Sequence, residues 1–288
     1  MRVWPIPSQL RRRQNAGMNL PTPSMAHALP DPSVLLVTGG GRGIGAATVL
    51  RAAARGWDVA INYTRDEGAA QAVAAQVRAM GRRALVVQAD VADEAAVLAM
   101  FGRVDVELGR LGGLVNNAGV VDVAARIDAG SVARWQRMFN VNVIGSMLCA
   151  REAIRRMSTR PKNRPGGPVS LGGGGGSIVN LSSAAARLGA GGQYVDYAAA
   201  KGAIDAFTLG LAREVATEGI RVNAVRPGII ETDIHASGGE PDRAARMAPL
   251  VPMQRAGTAD ECAAAIVWLL SEEASYTTGA VLDVTGGR

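Results

Sequence analysis

The sequence predicts a doubly wound α/β fold built on a parallel sheet. Short apolar runs alternate with helical stretches, the links between them are brief, and the strand runs carry few charges. Runs of that kind suit a sheet covered by helices on both faces. The length of 288 residues suits one such domain, and 48 % apolar residues are enough to build its core.

The elements follow in order from Val34. Val34–Thr38 is a β-rich run that stops at a glycine cluster, and Gly43–Arg55 reads as the helix after it. Asp58–Asn62 is a second strand with Glu67–Met80 as its helix; Ala84–Ala89 is a third, with a helix over Asp93–Glu107. Leu114–Asn116 is the fourth strand. A single long helix is predicted over Ser131–Met157, then strand Ser177–Ser182, helix Tyr194–Thr217 and strand Ile220–Val225. Ala259–Leu270 is the last helix and Ala280–Val284 the last strand. Two stretches break the rhythm. Residues 158–176 are rich in Gly and Pro and read as a flexible loop. Residues 232–255 mix Gly, Pro, Met and charge at a strand's carboxyl end, and read as a substrate lid. His235, Met247 and Met253 are its candidate contacts.

Composition excludes several chemistries. There are 2 His and 2 Cys, and one histidine, His27, lies in the irregular N-terminal stretch. A Ser-His-Asp triad would have to use His235, which has no nucleophile turn near it. A multi-histidine zinc site is not available, and Cys149 and Cys262 sit in apolar helical patterns as buried thiols. No metal site is expected. The net charge of +6 is shared equally between residues 1–33 and the rest. The body lacks the clustered Lys/Arg with interleaved aromatics of a nucleic-acid protein. No segment is long and apolar enough to span a membrane. Residues 1–33 are read as a disordered extension, or as the product of an upstream start with translation beginning at Met18 or Met25. A cytoplasmic location is expected.

Thr38-Gly-Gly-Gly-Arg-Gly-Ile-Gly45 joins the first strand to the first helix. Glycines there let backbone N–H groups approach a ligand, and the helix N-terminus favours a pyrophosphate. The position in a βαβ unit points to a dinucleotide. An acidic residue at the tip of the second strand would select NAD. This chain has Asn62-Tyr-Thr-Arg65 instead, and Arg42 lies inside the turn. Two guanidinium groups near one ribose suit the 2′-phosphate of NADP, so NADP(H) is favoured over NAD(H). Asp66 and Glu67 count against that phosphate site, and solvated surface arginines are the plain alternative.

Tyr197-Ala-Ala-Ala-Lys201 places a phenol and an ammonium on one helical face. A free tyrosine titrates near about 10 and is a poor base at neutral pH. A neighbouring cation lowers that value, which allows acid–base chemistry without histidine.

Thr38-Gly-x3-Gly-x-Gly45, Asn116-Asn-Ala-Gly119, Asn142, Ser182-Ser183, Tyr197-x3-Lys201 and Pro227-Gly228 stand in the order of the short-chain dehydrogenase/reductases, and the set resembles that family over about Val34 to Gly287. The stretches Tyr194–Asp205 and His235–Pro241 look like a bacterial branch of glucose-dehydrogenase-like oxidoreductases. The resemblance implies a Rossmann-type single domain over 34–288 with a seven-stranded parallel sheet. It implies Tyr197 as the acid/base, Lys201 lowering its pKa and binding the nicotinamide ribose, Ser183 orienting the substrate, and Asn142 holding a water that links Lys201 to solvent. Asn140 competes with Asn142, but the following Val-Ile-Gly145 matches the family only from Asn142.

The cofactor-binding set that follows is Gly39, Arg42, Gly43, Ile44 and Gly45 at the turn, with Asn62 and Arg65. Asp90 is assigned to the adenine, beside Val91. Asn117, Ala118 and Gly119 line the cleft; Pro227, Gly228, Ile230 and Thr232 belong to the nicotinamide end. Asn117 is also open to a bracing role, and Asp90 to capping the next helix. Ser183 precedes Tyr197 by fourteen residues, one more than the commonest family pattern, so Ser182 stays a candidate. The implied reaction is hydride transfer between NADP(H) and a carbonyl or secondary alcohol, in a homotetramer. The alternatives are an NAD-dependent sugar dehydrogenase, a 3-oxoacyl thioester reductase, and a non-catalytic NADP sensor. A nucleic-acid role for the arginine tail is a further rival.

Overall fold

Val34–Val37 (β1) is a run of four apolar residues without any exposed surface, and it forms an interior strand of the sheet. In the computed structural model, which describes residues 34–160 and 173–288, seven strands all run parallel in the order β3-β2-β1-β4-β5-β6-β7. The N-terminal stretch and most of the predicted 158–176 loop lie outside the described residues, as do the readings placed on them.

After β1 come α1 (Gly43–Ala54), β2 (Asp58–Tyr63), α2 (Glu67–Ala79), β3 (Ala84–Gln88), α3 (Glu94–Glu107) and β4 (Leu111–Asn116). β4 starts three residues before its predicted bound, through two glycines that pattern reading passes over. α2 and α3 are capped by the carboxylates of Asp66 and Asp93, which accept from backbone N–H groups of their own first turns. Arg42, which precedes α1, supplies no side-chain cap.

The long helix predicted over Ser131–Met157 is not continuous. It divides into α4 (Val132–Phe139), a π-helical turn over Asn140–Ile144, and α5 (Gly145–Met157). The cause is local. The buried Asn142 carboxamide is held by both backbone groups of Val120 and by Met138 O, and the wider turn turns that side chain inward.

The second half runs β5 (Gly176–Leu181), α6 (Ala185–Leu188), α7 (Val195–Val215) and β6 (Ile220–Pro227). Then come α8 (Ile234–Ser237), α9 (Arg243–Met247), α10 (Ala259–Leu270) and β7 (Val281–Val284). The predicted lid therefore contains two short helices. α1, α2 and α10 cover one face of the sheet; α3, α5 and α7 cover the other, around Phe101, Met100, Cys149, Ile178 and Val222.

The order reverses between β1 and β4. Connections from these neighbouring strands leave in opposite directions, which opens a crevice at their carboxyl ends. The glycine turn, the end of β4 and the start of the β5 loop all face it. Among the described residues no helix is long and apolar enough to cross a membrane, and no cluster of His, Cys, Asp and Glu forms a metal site.

Candidate active site

One wall of the crevice is the glycine turn, and its shape depends on missing side-chain atoms. A Cβ on Gly45 would lie 2.3 Å from Gly39 O and 2.6 Å from Asn117 Nδ2. No other residue fits there without moving the turn. Gly39 and Gly43 take positive φ, +62° and +53°. Thr38 Oγ1 accepts from Asn117 N and Ala118 N, and Asn117 Nδ2 donates to Thr38 O and Gly39 O. Both open readings of Asn117 thus meet in one residue. Its amide braces the turn, and it also lines the cleft.

Asn62 acts from behind. It is 1 % exposed, accepts from Gly39 N at 3.2 Å, and donates to Ala89 O at 2.9 Å. It shapes the turn through Gly39, while its own polar atoms are spent on backbone. Val91 is likewise buried, against Gly145. Asp90 is exposed, and its carboxylate accepts from Ala92 N; the helix cap considered for it belongs to Asp93. Arg42 and Arg65 are both exposed, and neither side chain has an ion pair or hydrogen bond among the described residues. Asp66 is occupied in capping α2.

The opposite wall is α7. Ile44, Asn117, Gly119, Asn142, Ser183, Tyr197, Lys201, Pro227, Gly228, Ile230 and Thr232 share one cleft with it. Lys201 is 4 % exposed and donates from Nζ to Leu181 O at 2.7 Å. Gly119 lies between this ammonium and Asn142: a Cβ on it would be 2.7 Å from Asn142 Oδ1 and 3.6 Å from Lys201 Nζ. Ser182 is buried and donates to Lys201 O, whereas Ser183 stands beside the Tyr197 hydroxyl, which separates the two serines by position. Ser183 Oγ also accepts from Ala185 N, in a short helix that pattern reading missed.

The electrostatics differ from the expectation that Lys201 lowers the Tyr197 pKa. Burial pushes the Tyr197 phenol up, and the Ser183 hydrogen bond opposes that rise in part. Burial pushes Lys201 down to about 8, partly opposed by the Asp205 carboxylate. The reason is geometric. Lys201 Nζ is 5.6 Å from the Tyr197 ring centroid and points at a backbone carbonyl. The phenol is therefore held with its proton on, next to a hydroxyl, which suits it to donate to a substrate oxygen.

The lid candidates fare differently. Met247 packs into a small core with Ile229, Val251 and Ala256, and Met253 is 60 % exposed. Neither lines this cleft; the His235 side chain lies outside the described residues. Gln193, Tyr194, Ile234 and Arg243 line it instead. Tyr194 Oη donates to Glu240 at 2.7 Å, and Arg243 stacks on the Tyr194 ring at 5.1 Å. These contacts span about fifty residues of sequence, so no local pattern announces them.

The glycine cradle, uncapped helix start and open cleft fit a dinucleotide. Residues 39–288 match the family model described as enoyl-(acyl carrier protein) reductase. An oxidoreductase of Escherichia coli, YgfF, is 51 % identical over 256 residues, covering 89 % of this chain and all of that protein. The chain belongs to the short-chain dehydrogenase/reductase family. It is accordingly an oxidoreductase acting on a small molecule. The 3beta-hydroxysteroid dehydrogenase 1 of Eggerthella lenta is 37 % identical, over 88 % of this chain and 92 % of its own. A solved short-chain dehydrogenase from Burkholderia cenocepacia, in complex with NADP, superposes with a TM-score of 0.78 at 36 % identity, covering 88 % of this chain and 97 % of that one.

Proposed function

We propose that this short-chain dehydrogenase/reductase exchanges a hydride between NADP(H) and a carbonyl or secondary-alcohol substrate, with Tyr197 as the proton donor and acceptor. The observation that carries this reading is the meeting of Tyr197, Ser183 and Lys201 in one cleft with Asn117 and with Ile44 of the glycine turn. When bound, the dinucleotide supplies or accepts the hydride.

The remaining work falls to the chain. The Gly39–Gly45 backbone and the α1 N-terminus receive the pyrophosphate. Arg42 and Arg65, both without partners in the described residues, take the 2′-phosphate. The NADP complex of the Burkholderia relative supports this choice, as does the engagement of Asp66 in a helix cap. Pro227, Gly228, Ile230 and Thr232 border the nicotinamide end. Ser183 orients the substrate oxygen, and the Tyr197 hydroxyl gives it a proton during reduction. Lys201 steadies the ribose and offsets negative charge that develops on Tyr197. Asn142 fixes Val120 and the end of the β4 loop beside Lys201. The segment 232–255 acts as the substrate lid, anchored through Tyr194 and Glu240.

A spectrophotometric screen of carbonyls and alcohols with NADPH, NADH and their oxidised forms tests the reading. Turnover with a preference for the phosphorylated coenzyme is expected. A clear preference for NADH would overturn the assignment of Arg42 and Arg65.

A further inference from the structure

The start of α7 has no side-chain cap from Tyr194, the residue that precedes it. Asp196 supplies one from within the first turn. Its Oδ1 accepts from Tyr197 N at 3.0 Å. The same carboxylate receives two bonds from one guanidinium: Arg134 Nε to Oδ2 at 2.6 Å and Arg134 Nη2 to Oδ1 at 3.2 Å. The side chains are 14 % and 6 % exposed. Two parallel bonds from a planar fork fix distance and angle together.

Arg134 lies in the first turn of α4, the helix that leads into the π-helical turn around Asn142. Its third contact is Nη1 to Val123 O at 2.7 Å, in the loop that follows β4. Arg137, one turn along α4, pairs with Asp122 of the same loop. That loop also bonds the approach to α7, through Ala125 N to Gln193 O at 2.9 Å. Farther back it holds the Asn142 carboxamide through Val120. Arg134 thus touches the three segments that present Tyr197, Asn142 and the cleft-lining Gly119–Val121.

We propose that the Arg134–Asp196 pair is a positioning device for the reaction, fixing the Tyr197 end of α7 against the β4 loop and the Asn142 turn. Neither residue lines the cleft. Both act through Tyr197 and Val123, and the inference rests on the reading that Tyr197 exchanges the proton. Burial pushes the Asp196 carboxyl up, but the bonds from Arg134 and Tyr197 N–H outweigh it and hold the carboxyl below its ordinary range. The pair therefore stays ionised across the neutral range.

The test uses the full chain and the variants Arg134→Gln, Arg134→Lys and Asp196→Asn, compared with wild type. A displacement of about an ångström at the reacting atoms is costly, so kcat in Arg134→Gln is expected to fall at least about tenfold. The KM for NADPH is expected to stay within about twofold, because the glycine wall is untouched. Arg134→Lys restores part of kcat, since an ammonium keeps the charge but loses the fork. Hydrogen–deuterium exchange supplies a readout independent of turnover: peptides over 119–126 and 193–201 exchange faster in Arg134→Gln, while α10 does not change. Unchanged kcat in a folded Arg134→Gln overturns the proposal. So does a loss of kcat matched by a loss of NADPH affinity and faster exchange throughout. If Arg134→Gln does not fold, the near-isosteric Asp196→Asn carries the same readouts. A wild type without turnover on any carbonyl removes the proposed function instead; exchange then still decides the tie, and unchanged exchange in both segments overturns it.

Discussion

The glycine wall of the cleft takes its shape from side-chain atoms that are absent, whereas the α7 wall takes its shape from charges that are paired. On the first, Asn62, Asn117 and Thr38 spend their polar atoms on the backbone of Gly39 and its neighbours. On the second, Arg134 pairs with Asp196, and Glu240 pairs with Arg243 and Arg246 beside Tyr194. The contrast teaches where each wall is vulnerable. A close-packed backbone turn fails when an atom is added. An ion-paired wall is expected to fail in alignment when one partner is changed.

Gly45→Ala should break the comparison most severely. Its Cβ overlaps Gly39 O, so the turn must open. Overpacking of this kind costs about 3 kcal/mol at its upper end, and a loss of that size in binding weakens NADPH roughly hundredfold. Coenzyme titration by fluorescence checks this, and wild-type affinity in Gly45→Ala would mean that the turn is not the binding wall.

Arg42→Ser and Arg65→Ser probe the same wall without disturbing its backbone. A charge-assisted hydrogen bond contributes about 1.5–3 kcal/mol, so each change should cost about tenfold or more in NADPH affinity. NADH affinity should hardly move, and the ratio of the two Kd values is the measurement.

On the α7 wall, pH is the sharper probe. With Lys201 at about 8, its cation is present below that pH and lost above it. Tyr197, raised by burial, keeps its proton across the same range. Carbonyl reduction at saturating NADPH should therefore be flat below about 8 and fall about tenfold per unit above it. A rate that climbs through this range would contradict the assignment of the cation.

Glu240→Gln should have the smallest effect. Partly exposed pairs contribute about 0.2–1 kcal/mol, so stability should barely change. The substrate KM is expected to rise by about twofold to fivefold as the lid loosens, with NADPH affinity unchanged.

The strands, the glycine turn and the Tyr197–Lys201 pair were legible in the sequence because each is local. An apolar run, a glycine cluster and a spacing of four residues can be read without partners. What escaped depends on distant contacts. Asn142 reads as part of an ordinary helix until Val120, twenty-two residues away, is seen to hold it. Asn62 stands at the tip of β2 like a cofactor ligand, yet its neighbours in the fold are Gly39 and Ala89. Arg134 and Asp196 are sixty-two residues apart and look like two surface charges. The net rise at Tyr197, set by its burial, was not legible, because burial cannot be weighed against charge before the pocket is known.

The central claim is that a Tyr197 proton, in a cleft built for NADP(H), carries the reaction. Tyr197→Phe tests it most directly, measured beside wild type for NADPH binding and for carbonyl-dependent NADPH oxidation on a substrate identified by the screen. The account predicts unchanged NADPH affinity with turnover reduced by a factor of about a hundred or more, the contribution typical of a positioned acid. Turnover close to wild type in Tyr197→Phe would contradict it.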